Sequence, residues 1–136
     1  MIDTATIFGR ALFAVRSAAG LKQSELARVV GLKRSAVTHL ETGRTTPTFY
    51  SLMRLGDRLR KNGVLADPTT LIQLVHETAR ELNRRGVRVV NRPLRPEEEI
   101  RRTPTDAIDR IVARIYDEWL QDEADIEQDD TYEDDE

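Results

Sequence analysis

The sequence predicts an all-α fold: a set of short helices over the first half, a helical extension, and a disordered acidic tail. Three observations predict it. Apolar residues recur at helical intervals along most of the 136 residues, glycines fall where those runs end, and residues 122–136 are almost wholly acidic.

Ile7, Ala11, Ala14 and Ala18 lie on one stripe, with Phe8, Leu12 and Val15 beside it; they make a first helix that ends before Gly20. Ser24 can cap a second helix, whose inward face is Leu26, Ala27 and Val30. Gly31 stops it, at a position where a left-handed backbone is cheap only for glycine. A third helix over 33–42 buries Ala36, Val37 and Leu40 and ends at Gly43. Pro47 precedes a fourth, with Phe49, Leu52, Leu55 and Leu59 inward, closed by Asn62 and Gly63. Asp67-Pro68-Thr69 opens a fifth, with Pro68 in its first turn and Leu71, Leu74, Val75, Thr78 and Leu82 following at helical intervals. Gly86 breaks that run, and Val87, Val89 and Val90 suit a short extended piece. RPLRPEEEIRRTP (92–104) reads as a charged, proline-punctuated linker. A last helix over 105–121 carries a stripe of Ile108, Ile111, Val112, Ile115 and Trp119. The expected organisation is a domain over 1–63, a helical extension over 64–121 and a disordered tail over 122–136.

Composition narrows the function. Hydrophobic residues make up 39% and charged residues 33%, enough for a modest core. Cysteine is absent, which removes disulfides, thiolate metal sites and thiol nucleophiles together. Asp3, Arg10 and Arg16 interrupt the apolar runs of the first twenty residues, so neither a signal peptide nor a membrane span is expected. A cytoplasmic location follows. The net charge of −3 conceals a strong asymmetry: residues 1–63 hold 11 Lys/Arg against 4 Asp/Glu, 64–103 hold 8 against 6, and 104–136 hold 2 against 14. A basic front and an acidic end suit a nucleic-acid-binding domain with an acidic tail. Arginine outnumbers lysine 18 to 3, either through a GC-rich coding genome or because bidentate contacts to phosphates and bases favour it.

The stretch KQSELARVVGLKRSAVTHLETGR (22–44) joins two short helices through a glycine turn, the arrangement of a helix-turn-helix. Ala27 is small where the two helices cross, and Val37 and Leu40 pin the second of them to the core. The opposite face then carries Arg34, Ser35, Thr38 and His39, with Thr42 near its end. These are donors and acceptors placed where base edges lie in a major groove. Residues 10–60 resemble the Cro/C1-type (XRE) helix-turn-helix family of phage repressors and bacterial regulators. The resemblance rests on LKQSELA (21–27), Gly31, SAVTHLETGR (35–44), TP (46–47) and SLMRLGDRL (51–59).

That resemblance implies a five-helix domain that binds a double-stranded DNA operator. It assigns base reading to Arg34, Ser35, Thr38 and His39. Phosphate binding falls to Gln23, and to Arg44 and Thr45 in a loop whose backbone amides also face a phosphate; Lys22, Lys33 and Thr42 stand beside them. Arg16 and Glu41 fall on a structural ion pair between the first and third helices. Lys33 stands where the family prefers Ser or Thr as a cap, so the third helix starts weaker while Lys33 gains a phosphate contact.

Other features keep two readings open. The stripe Ile108, Ile111, Val112, Ile115 and Trp119 is either the face of a homodimer, as paired half-sites suggest, or a surface docked on the first domain through the 71–82 run. The arginine-rich stretch 80–95 is either a second DNA contact entering a minor groove or a solvated helix end and strand. The acidic tail solubilises, competes for the basic face as a phosphate mimic, or offers a handle to a protease or protein partner. Two distant histidines, His39 and His76, give no basis for a metal site, no cofactor is implied, and nothing suggests an enzyme. The resemblance thus implies a transcriptional repressor acting by operator occupancy, best matched by a temperate-phage immunity repressor that maintains lysogeny. The alternative is an antitoxin that autoregulates its operon and binds a basic toxin through its C-terminal part. The 73 residues after Gly63 are too short and wrongly patterned for the self-cleaving domain of lambda-type repressors.

Overall fold

A computed structural model describes the backbone of residues 1–134 and the side chains of residues 1–126. In order, the described residues form β1 (Ile2–Asp3), α1 (Thr4–Ala18), α2 (Gln23–Val30), α3 (Arg34–Glu41), α4 (Phe49–Lys61), α5 (Thr70–Arg84), β2 (Val89–Val90), α6 (Pro96–Glu99) and α7 (Thr105–Asp134).

α1 starts where the Asp3 carboxylate accepts a hydrogen bond from Thr6 N at 2.8 Å, which satisfies one of the helix's orphan donors. Both of its apolar stripes sink: Ile7, Phe8, Ala11, Leu12 and Val15 are buried, and α1 packs against α3, α5 and α7. Gly9 faces α3. An added Cβ there would strike the backbone of Leu40 and Glu41, so only glycine permits this crossing.

Leu26, Ala27 and Val30 of α2 and Val37 and Leu40 of α3 are buried together. Gly31 carries the reversal between the helices at φ +71°. The N-cap of α2 is Lys22 rather than Ser24, which lies inside the first turn; Glu25 accepts from Lys22 N at 3.0 Å. Lys33 caps α3 with no side-chain bond.

In α4, Leu55 and Leu59 are buried and Leu52 is half-buried. Phe49 does not point inward as its spacing predicts; it is 71% exposed. Half-buried Pro47, two residues earlier, lines a cavity of about 170 Å³ with Phe8, Leu52, Ile72 and Val75. α5 begins at Thr70, so Pro68 precedes the helix instead of standing in its first turn. Leu71, Leu74, Thr78 and Leu82 are buried in the interface of α5 with α1 and α7.

One departure from an all-α fold is small. Ile2 pairs with Val89 and Asp3 with Val90 in parallel register. Two residues are too few to show alternation, so β1 left no trace in the pattern. The 92–104 linker includes α6, tied down by Arg92 Nη1 to Glu98 at 2.6 Å and Arg102 Nε to Glu99 at 2.8 Å.

α7 bears on two of the readings above. Ile108, Ile111, Val112 and Ile115 are buried within the chain's own core, with Trp119 half-buried beside them. This stripe is therefore not an open dimer face; it docks on α1 and α5. Arg10 fixes the docking by donating to both carboxylate oxygens of Asp109, at 2.6 and 3.0 Å. The helix also runs past Gln121 to Asp134, where disorder was expected. No Gly or Pro follows Thr105 to stop it, and Gln121 reaches Asp125 at 3.1 Å one turn on. The tail's side chains beyond 126, and residues 135–136 altogether, lie outside the described residues. Buried residues from Ile2 to Tyr116 form one cluster, so packing does not break at Gly63.

Candidate nucleic-acid interface

What fixes α3 is a polar network under it as much as Val37 and Leu40. Glu41 is only 2% exposed. Arg16 donates to it from Nε at 2.7 Å and Nη2 at 3.0 Å, and from Nη1 to Leu21 O at 3.0 Å. Gln23 Nε2 donates to Glu41 Oε1 at 3.0 Å, and Gln23 Oε1 lies 3.1 Å from the Thr38 hydroxyl. The Phe13 ring packs under the Arg16 guanidinium, 5.1 Å from centroid to Cζ. α1, α2 and α3 are thus clamped by bonds that satisfy a buried charge on several sides.

This network changes the role of two residues. Gln23 bridges α2 to α3 instead of projecting toward solvent, although one amide hydrogen remains for another acceptor. Thr38 is half-buried, and its hydroxyl lies within reach of Gln23 Oε1 and of Arg34 O. Both support the face rather than form its open surface.

Arg34, Ser35 and His39 are exposed, and among the described residues their side chains make no hydrogen bond or ion pair. They leave one open polar surface on a helix whose other side is rigid. Lys22, Lys33 and Arg44 flank it, exposed and without a carboxylate partner among the described residues. Thr45 is exposed, while the Thr42 hydroxyl is bonded back to Thr38 O at 2.8 Å. The loop amides differ from the expectation. Gly43 N donates to Leu40 O at 3.2 Å, and Arg44 N and Thr45 N to His39 O at 2.9 and 3.4 Å. They satisfy the last carbonyls of α3, which leaves the Arg44 and Thr45 side chains to face outward.

The arginine-rich stretch 80–95 is arranged differently. Arg80 pairs with Glu77, Arg84 and Arg85 with Glu81, and Arg92 with Glu98, all at 3.2 Å or less. The hydrogen bonds from Arg92, then the Arg95 backbone N–H, push the Glu98 carboxyl down to about 2. Arg85 likewise lowers Glu81. Of this stretch only Arg88 and Arg95 lack a carboxylate among the described residues. Positive charge without a carboxylate partner among the described residues is instead what borders α3, and such charge attracts a polyanion from a distance.

Among the described residues, no group of three or more His, Cys, Asp or Glu is placed to hold a metal ion. Among the same residues, no helix is long and apolar enough to cross a membrane. Sequence spacing missed the Glu41–Gln23–Thr38 relay. Its signal is a Gln at the start of one helix and a buried Glu at the end of the next, legible only once the crossing is known.

Residues 7–67 match the family model described as a helix-turn-helix domain. The span runs from α1 to the turn before α5 and contains the whole α2–α3 face. It is a helix-turn-helix domain of the XRE/Cro-C1 type. No curated protein and no solved structure matches the chain.

Proposed function

We propose, with a helix-turn-helix domain over residues 7–67 as the premise, that this chain is a sequence-specific repressor of transcription. The observation that carries the reading is the open α3 face: Arg34, Ser35 and His39 are exposed on a helix locked by Glu41 and flanked by Lys22, Lys33 and Arg44, none of these six side chains being paired among the described residues. Lysine and arginine contacts to phosphates supply affinity and register on the duplex. Arg34, bidentate to a guanine edge, supplies discrimination of about 1–3 kcal/mol, with Ser35 and His39 reading neighbouring positions. A chain bound over a promoter then blocks polymerase by occupancy. Immunity repression of a temperate phage is the setting that fits this mechanism best.

Selection from random-sequence duplexes, followed by transcription from a promoter that contains the recovered site, tests the reading. Enrichment of a discrete sequence and dose-dependent loss of transcript are expected. Equal recovery of all sequences would refute it. A second reading, an antitoxin that also neutralises a basic partner, draws on the acidic end of α7, where Leu120 and Ile126 are exposed among Asp117, Glu118, Asp122, Glu123 and Asp125. Co-purification of a small basic protein would favour it.

A further inference from the structure

Spacing puts Ala36 inward with Val37 and Leu40, yet it is only half-buried. It lines a cavity of about 360 Å³ between α3, the turn at Gly31 and α4. Buried Val30, Leu40 and Leu55 give the cavity its apolar wall. Arg54 and Arg58 of α4 and His39 of α3 also line it, and among the described residues no Asp or Glu does. The turn fixes one of the two arginines. Arg58 Nη1 donates to Val30 O at 3.2 Å, and its guanidinium occupies the space that a Cβ at Gly31 would take. That bond uses one of the guanidinium's several N–H donors. Arg54 is exposed, lies 5.8 Å from the centre of the Tyr50 ring, and makes no hydrogen bond or ion pair among the described residues.

We propose that this cavity binds a small apolar carboxylic acid, and that the bound acid releases the chain from DNA. An apolar wall with a few placed cations is the pattern of a site for an amphiphilic anion. The guanidinium groups offer a carboxylate charge-assisted bonds, and an apolar body leaves water against Val30, Leu40 and Leu55. A DNA phosphate would engage the arginines but leave the apolar wall bare. At roughly 30 Å³ for a water-sized group, the cavity holds about a dozen non-hydrogen atoms, the size of naphthoate or decanoate. The effect on DNA, unlike the site, rests on the DNA-binding reading. His39 belongs both to the cavity and to the open face of α3, so a carboxylate held there sets negative charge against the phosphates of a bound duplex. Acid and duplex then weaken each other's binding by the same factor.

The test titrates the full chain with naphthoate and with decanoate, following backbone amide resonances, first without DNA. Saturable shifts centred on Ala36, Leu40 and Leu55 are expected for at least one acid, with a Kd below about 1 mM. Naphthamide, the uncharged match, should bind at least about tenfold more weakly than naphthoate. Arg54→Gln should lose about tenfold in acid affinity while melting at the same temperature, since Arg54 is exposed. Saturating acid, at constant ionic strength, should then weaken binding to the selected duplex by about tenfold or more. No saturable binding of either acid, equal binding of the amide, unchanged acid affinity in Arg54→Gln, or a duplex affinity indifferent to the acid would overturn the proposal. Acid binding as described, with no enrichment of any duplex sequence, would instead overturn the DNA-binding reading, and with it the release, and leave the acid site standing.

Discussion

Replacing Arg16 by alanine removes the guanidinium that holds a buried carboxylate. Glu41 is 2% exposed and would keep only Gln23 Nε2, at 3.0 Å, as a side-chain donor. Stranding one member of a buried pair costs about 3–5 kcal/mol. Leu21 O also loses its donor, worth roughly another 1 kcal/mol. The Arg16 side chain is 13% exposed, so water reaches part of the gap and the lower end, about 3 kcal/mol, is the expected loss. That is a large share of the ~5–15 kcal/mol typical of a domain. With a urea slope of about 2 kcal/mol per molar, the unfolding midpoint should fall by roughly 1.5 M. Arg16→Ala/Glu41→Ala should lose clearly less than the two single losses added, because the second change removes the stranded charge. A loss below about 1 kcal/mol, or strict additivity, would show a solvent-screened pair and refute the clamp.

Three further outcomes follow from the same packing. Thr78 is fully buried and its hydroxyl has no hydrogen-bond partner among the described residues, so Thr78→Val should raise stability by about 1 kcal/mol in urea melts; a decrease would mean that the hydroxyl is satisfied. Ile108 is fully buried in the core shared by α1, α5 and α7, and Ile108→Ala should cost about 2–5 kcal/mol in one cooperative transition. A separate early transition would mean that α7 is an independent unit. Glu98 titrates at about 2 in the folded chain against an ordinary 4.5, so its contact with Arg92 stabilises above pH 4.5 and is lost as pH falls toward 2. Over that window wild type should lose stability faster than Glu98→Gln; parallel curves would place the acid sensitivity elsewhere.

Apolar spacing and glycine stops placed α1 to α5 closely, because each inward stripe and each turn residue pointed to the same register. Gly31 and the pair Val37 and Leu40 show this best: one residue permits the turn and two fix which side of α3 faces out. Phe49 shows the limit. Its spacing put it in line with Leu52 and Leu55, but it stands in the first turn of α4 and is 71% exposed, and spacing alone does not show where a helix's first turn leaves the core. Spacing also could not decide whether the α7 stripe met a second chain or this one, since both burials need the same apolar pattern. Gln23 and Thr38 carry the side chains expected of DNA contacts, yet Glu41 beneath them engages Gln23 and through it Thr38. That competition depends on a three-helix crossing and has no local sequence signal.

The most direct test of recognition through α3 is the affinity of wild type and Arg34→Ala for the selected duplex and for a scrambled one, each at two salt concentrations. Wild type should prefer the selected duplex by about 10³ or more, and Arg34→Ala should lower that preference by roughly 10–100-fold while binding to the scrambled duplex changes little. Equal losses on both duplexes, with a salt slope reduced by about one, would make Arg34 a phosphate contact and contradict base reading through α3.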